Sequence, residues 1–384
     1  MTSSPTHAVL VSALNIATDL LSPAYLFLSV MAVCSRYNSI LKKLASHGKT
    51  TAVTTVTTTT TGVVTLQKKS TNNSRNSWLW ISKKCFVHFY LIGLLSIGMV
   101  MSLASNNTTD NTPTITTTTA ARALLILHLC RRVCECLFVQ RFRSSSKMHV
   151  AGYALGMGHY LVLPLVFWNV SFLDGGEVDP DVEDRKATMT GRSLPVIVLL
   201  LAASNLYLQY EQYQHHVILA SLRRQSPAYH DENNSNSRKQ KGIDNDKRGE
   251  TTTITHHSVP PPRRWFQWVW CPHYLAEILL YLTFVLLLEY DNSNYINSDT
   301  SNIRHRDHLC FNVLPLPIQL CRDAFVTLFL PLRRYHHWFL LLWVTTNLTV
   351  SALNNHDWYQ EQFRCHNYKS SPTYRRKALV PFLL

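Results

Sequence analysis

The stretch CPHYLAEILLYLTFVLLL, residues 271–288, decides the fold. It is apolar over a length that matches the hydrocarbon core of a bilayer, yet it carries one carboxylate, Glu277, in its first turns. The rest of the chain repeats this pattern. Mean hydropathy over the 384 residues is close to zero, as in a soluble protein, but the apolar residues are gathered into blocks separated by Thr, Asn and Ser tracts. Blocks of roughly 18 or more mostly apolar residues mark membrane spans. They fall at 8–34, 86–103, 120–139, 150–170, 194–210, 273–288 and 337–353. The first block lacks a basic leader and a small-residue cleavage site, so it reads as a retained helix and not as a signal peptide. The expected fold is all-α, a polytopic membrane protein with about seven transmembrane helices.

A formal charge of +14 would suit a nucleic-acid partner, but its distribution argues for membrane topology and against nucleic acid. Lys42, Lys43, Lys49, Lys68, Lys69, Arg75, Lys83 and Lys84 crowd the loop after the first block, whereas the next loop, SNNTTDNTPTITTTT, has no Lys or Arg. Arg141, Arg143 and Lys147 follow the third block, and the mostly acidic DGGEVDPDVEDRK follows the fourth. The loop after the fifth block and the C-terminal tail are again basic. An N-out, C-in chain satisfies this alternation and puts the sequons at Asn106, Asn107 and Asn169 on or beside lumenal loops.

Residues 1–77 are expected to form the first helix and a low-complexity cytosolic loop. Residues 78–384 are expected to form the helical membrane domain, with a disordered insertion at 228–262 and a lumenal one at 291–336. The Thr tracts read as flexible loops, because they offer little apolar surface to bury. Pro315, Pro317, Arg322, Asp323 and Pro331 argue against a span in the lumenal insertion, and Cys310 and Cys321 within it are a candidate disulfide for an oxidising lumen. The cysteines lack zinc-ligand spacing, so no metal site is expected.

Ionisable groups inside a bilayer face partners or an aqueous cavity by default, and here they form stripes. His128, Arg131, Arg132 and Glu135 share one helical face; Asn205, Gln209, Gln212, His216 and Arg223 share another. His273, Glu277 and Tyr281 recur every fourth residue, and His356 and Tyr359 lie one turn apart. Under the charge-derived topology these stripes lie toward the cytosol. Interhelical hydrogen bonding accounts for some of them; polar faces from several helices at one level indicate a shared cytosol-facing cavity for a charged, soluble ligand.

The segments LHLCRRVCECLFVQRF, HHVILASLRR, CPHYLAEILLY and YRRKALVPFLL, with KKCFVHFYLIGLL, occur in the order that resembles the steroid 5α-reductase family, and within it the polyprenol reductase branch. The resemblance implies a seven-helix fold of the endoplasmic reticulum membrane that binds NADPH in a cytosol-facing cavity. It implies that Arg223, Glu277, His356, Tyr359 and Arg376 contact the cofactor, with the two arginines near its phosphates, a role suited to their bidentate donors. Gln212 and His216 match polar positions on the same face, and His273 and Tyr281 flank Glu277, although the family commonly has Asn at the place of His273. The steroid-reducing branch has a Tyr after the His of its LH motif, where this chain has Leu129.

The activity so implied is reduction of the α-isoprene double bond of a long polyprenyl lipid, giving the dolichol precursor of protein glycosylation. Hydride adds to an electron-poor carbon, so an α,β-unsaturated polyprenal is a better acceptor than polyprenol. Candidate acids are His88 and Tyr90, with Glu135 and His128 as alternatives; interface anchoring is the competing role for His88 and Tyr90. An enoyl-CoA or steroid reductase of the same superfamily, a membrane methyltransferase and a transporter are the alternative classes. Gly152 and Gly156 form a GxxxG pair suited to helix packing.

Overall fold

A computed structural model describes residues 5–38, 54–58, 64–68, 79–105, 117–142, 146–167, 196–224, 260–296, 335–364 and 376–379. Cys310, Cys321, the three sequons and most of both insertions lie outside the described residues. Seven long helices appear among those described: α1 (Pro5–Tyr37), α2 (Phe86–Ser105), α3 (Thr117–Cys134), α4 (Val150–Phe167), α5 (Val196–Arg224), α6 (Pro272–Ile296) and α7 (His336–Arg364). Four stretches are long and apolar enough to cross a membrane, Leu20–Tyr37, Lys83–Ser102, Val150–Phe167 and Pro272–Tyr290. The helices that fall short, α3, α5 and α7, carry much of the polar striping, which interrupts their apolar runs.

Burial is the reverse of that in a water-soluble bundle. Phe27, Leu95, Val196 and Leu200 point outward, while His128, Glu135, Asn205 and Gln209 are buried. In water this would expose a broad apolar surface; against lipid it satisfies both sets of residues. The packing is close between α5 and α6, α1 and α7, and α2 and α4. A core of Tyr25, Leu125, Leu129, Leu163, Phe167, Phe284 and Leu340 joins these layers.

The helix ends are tied by short non-helical pairings. Strand β3 (Trp80–Ser82), leading to α2, pairs antiparallel with β4 (Lys147–His149), leading to α4, with Trp80 opposite His149. This fixes the starts of α2 and α4 side by side. The C-terminal segment returns to the start of α6: Trp270 N donates to Lys377 O at 2.9 Å, and Cys271 N to Ala378 O at 3.2 Å. The all-α expectation and the flexible reading of the first Thr tract are both corrected in one place. Strands β1 (Thr54–Thr58) and β2 (Val64–Lys68) pair as an antiparallel hairpin. Thr and Val are β-branched and fit a pleated backbone, a preference that a reading based on apolar burial alone overlooks.

The glycine-rich side of α4 packs against α2. A Cβ at Gly156 would lie 2.7 Å from the Phe89 ring, which places this half of the GxxxG pair in a helix contact. Gly156→Leu should therefore destabilise the fold by about 1–3 kcal/mol. The measurement is the fall in Tm in detergent; Gly98→Leu, where a Cβ meets nothing within 4 Å, should leave Tm unchanged.

Candidate functional site

Polar side chains from four helices meet at one end of the bundle. That end gathers the starts of α2, α4 and α6 and the finishes of α1, α3, α5 and α7. The contacts Arg36 to Asp357 (3.0 Å), Arg132 to Tyr90, His216 to Glu135 and Arg223 to Arg141 O (2.9 Å) each join such ends. The opposite end is marked by Arg122 Nε donating to Phe167 O at 3.0 Å and by His337 against Glu289 at 2.6 Å.

Glu135 stands at the centre. Arg131 and Arg132 sit four and three residues before it, so both guanidinium groups share one face with its carboxylate and pair with it. His216 Nδ1, from α5, lies 2.7 Å from Oε2 of the same carboxylate and donates when it carries the proton. Glu135 also opens a π-helical turn, Glu135–Val139, closed by Gln140 N donating to Glu135 O at 2.7 Å. Turns of this kind inside helices recur at functional sites.

From this centre the network runs both ways. Arg132 donates from Nε (3.1 Å) and Nη2 (2.6 Å) to the Tyr90 hydroxyl oxygen on α2, and its guanidinium lies 4.9 Å from the ring centre. These bonds occupy the oxygen as acceptor and leave the Tyr90 O–H free to point elsewhere. Arg131 donates to Gln212, which in turn donates to Glu277 on α6; His128 Nε2 lies 3.5 Å from the same carboxylate. Deeper in, Gln209 donates to Asn205 at 2.8 Å, and Asn205 to Thr283 at 2.7 Å. Two carboxylates thus offset two guanidinium groups, which is how ionised side chains are kept in a weakly polar interior.

A second cluster surrounds the lead-in to α6. Tyr359 stacks on Trp270 with ring centres 4.5 Å apart, and the Arg376 guanidinium lies 5.1 Å from the Trp270 ring centre. Arg376 is buried; its Nη1 donates to Pro260 O at 2.8 Å, while its Nη2 is buried with no hydrogen-bond partner. His356 bonds Gln360 at 3.0 Å.

The structure therefore brings Tyr90, Glu135, Gln212, His216 and Glu277 into one network, and Tyr359 and Arg376 into the adjoining cluster, with His356 a turn away. His273 lies between them, its ring 5.5 Å from that of His216 and its Nδ1 buried without a partner. Arg223 lies over Phe142 at 5.9 Å, and Tyr281 is buried in the core. His88 is exposed, bonded to Tyr153 at 2.9 Å and outside the network. Arg131, Trp270 and the Pro260 carbonyl had not been singled out as site groups. Arg131 belonged to a visible stripe; Trp270 and Pro260 enter only through the return of the C-terminus. Among the described residues no group of three His, Cys, Asp or Glu could hold a metal ion.

Removing the central carboxylate leaves two guanidinium groups without their counter-charge. Glu135→Ala should cost about 3–5 kcal/mol, measured by thermal unfolding in detergent, and more than Asp357→Ala, whose pair with Arg36 is exposed.

The family described as 3-oxo-5-alpha-steroid 4-dehydrogenase matches residues 323–384, a segment that contains His356, Tyr359 and Arg376. A polyprenal reductase of Caenorhabditis elegans is 25% identical over 325 residues, 79% of this chain and 80% of the relative. One from Xenopus tropicalis is 24% identical over 338 residues, 82% and 84% of the two chains. One from Drosophila melanogaster is 33% identical over 94 residues, 22% and 26% of the two. No solved structure matches the chain significantly.

Proposed function

From a chain whose C-terminal segment is a domain of the steroid 5α-reductase family, we propose a membrane-embedded oxidoreductase that reduces the α-isoprene C=C bond of polyprenal at the expense of NADPH. The relatives that match about four-fifths of the chain bear the name polyprenal reductase. The observation that carries the reading is the meeting, at one end of the bundle, of a buried arginine with an unused donor and a tyrosine whose hydroxyl oxygen is gripped by a second arginine.

The residues present fit the cofactor. Arg376 Nη2 is an orphaned buried donor with no acidic partner among the described residues, which a phosphate oxygen would satisfy. Arg223, Tyr359 and His356 would complete that end, and Glu277, held by Gln212, would accept from the nicotinamide end. NADPH, when bound, supplies a hydride to the β carbon of the conjugated aldehyde. Charge then builds on the substrate as an enolate, and Tyr90 Oη gives its proton to the α carbon. Arg132 holds the Tyr90 oxygen during that transfer, and Glu135 with His216 fixes Arg132. The balance is polyprenal plus hydride plus one proton giving dolichal, which a separate aldehyde reduction converts to dolichol.

On this reading the seven helices all span, the polar end faces the cytosol, the basic loops are inside, and the membrane is that of the endoplasmic reticulum. Anaerobic NADPH oxidation by the purified protein tests it, with polyprenal, polyprenol, a 3-oxo-4-ene steroid and an enoyl-CoA as acceptors. Turnover is expected with polyprenal. Tyr90→Phe should lower kcat by about 10²–10⁴-fold with NADPH binding intact. Arg376→Ala should weaken NADPH binding by about tenfold or more, the scale of a lost charge-assisted hydrogen bond. Absence of NADPH binding together with absence of turnover would falsify the reading.

A further inference from the structure

The segment that leads into α6 turns back on itself at one strained residue. Among the described residues the one non-glycine of positive φ is Arg264, at 52°. A Cβ is disfavoured in that left-handed region, where glycine is the usual occupant. The reversal is built from Arg263 N donating to Pro261 O at 2.7 Å and from the 3₁₀ turn Arg264–Gln267 that follows. It brings the Pro260 carbonyl and the Trp270 ring to the same guanidinium, that of Arg376.

The strained turn is held by its own side chain. Arg264 Nη1 donates to Glu211 Oε1 on α5 at 2.6 Å, and its guanidinium lies 5.3 Å from the centre of the Tyr210 ring. Glu211 is buried and its second oxygen has no hydrogen-bond partner, so Arg264 is the fixed counter-charge of a carboxylate that water does not reach. Trp265 and Phe266, the next two residues, lie against the His215 ring at 5.5 and 5.4 Å. Glycine would make the same reversal without strain; an arginine there is explained by what its head group grips.

We propose that Arg264 is a positioning residue for the phosphate end of the cofactor site, an inference that deepens the reductase reading and rests on it. Gripped by Glu211, Arg264 keeps the reversed backbone closed, and the closed backbone presents Pro260 O to Arg376 Nη1. Trp270 is held from the other side by the C-terminal segment, its N donating to Lys377 O while Lys377 N donates to Trp268 O at 3.2 Å. Among the described residues the Pro260 end has no such ladder and depends on the reversal. Arg376 is thereby fixed with Nη2 left over, the donor that a phosphate oxygen would take. A donor fixed in advance binds more tightly, because less ordering remains to be done on binding. Arg264 itself touches neither cofactor nor substrate on this reading, and its charge is already taken by Glu211.

Substitutions at this one position separate strain, grip and charge. Alanine removes the grip and keeps the strained Cβ, glycine removes both, and lysine keeps the charge and its pairing. With the full-length protein in lipid nanodiscs, the Kd for NADPH should rise about tenfold in Arg264→Ala, the scale of an uncompensated left-handed residue. It should rise only about threefold in Arg264→Gly, where no strain needs holding, and stay within about twofold in Arg264→Lys. At saturating NADPH the kcat with polyprenal should match wild type in all three. Hydrogen exchange of the cofactor-free protein supplies a second readout: amides of 260–271 should exchange faster in the order wild type, glycine, alanine, with α2 unchanged as the fold control. An equal rise in Kd for the alanine and glycine variants would leave Arg264 a charge effect only and overturn the proposal. Unchanged exchange across 260–271 in Arg264→Ala would overturn it as well. If wild type binds NADPH and every variant binds it equally, the positioning role falls while the reductase reading stands. If wild type binds no NADPH, the reductase reading fails and the phosphate role falls with it, and the exchange order alone decides the strained clasp.

Discussion

One carboxylate, Glu135, holds two adjacent guanidinium groups inside the bundle, and the polar end of the molecule is arranged around that pairing. Without it, Arg131 and Arg132 would place two like charges on one helix with few partners in reach. With it, the two side chains are fixed in divergent directions, Arg131 toward Gln212 and Arg132 toward Tyr90. Two other helices, α5 and α2, are thereby joined to α3 by hydrogen bonds, and Gln212 carries the chain on to Glu277 of α6. In a membrane such bonds add to van der Waals packing as the forces that select helix neighbours, since lipid is as apolar as the helix faces.

The same pairing sets what the end can do chemically. A free arginine would bind whatever anion reached it. Arg132, already bonded to Glu135, is directed to a neutral phenol oxygen. Arg376 is the counter-example: it has an aromatic surface beneath it and a carbonyl beside it, but no carboxylate among the described residues. Of the two environments, only that of Arg376 retains unsatisfied donor capacity, and this asymmetry is why the proposal assigns anion binding to one arginine and positioning of a proton donor to the other.

The helical stripes were legible in the sequence because a period of 3.6 is a local property. Glu135, Gln212, His216 and Glu277 each stood on a polar face, and those faces met. What periodicity does not contain is direction between elements. His88 and Tyr90 were taken as equivalent, yet residues two apart on a helix point to opposite sides, and only Tyr90 turns inward. The place of Arg376 depends on backbone bonds from 268–271 to 377–378, across more than a hundred residues, and no local pattern announces them. Tyr25 belongs to none of the polar stripes, and only the packing of α4 brings His159 against it. The Thr-rich hairpin was misread for another reason: low complexity was equated with absence of structure, whereas β-branched residues favour an extended backbone.

On the proposed reading a water-soluble dinucleotide and a long isoprenoid reach the same centre from different sides, and the fold offers two environments. The charged and stacking groups lie at the end that gathers the finishes of α1, α3, α5 and α7. A groove between α1 and α4 opens sideways on an apolar flank, where Phe27 and Leu161 on the same two helices are exposed. Between them stands a wall of tyrosines, Tyr160 against Tyr90, which is apolar over its rings and polar only at its hydroxyl tips. Such a wall lets hydrocarbon lie on one side and ionic groups on the other. On the proposed reading the reacting double bond must sit at that wall, because it is the only unit of a polyprenal chain that is conjugated to oxygen.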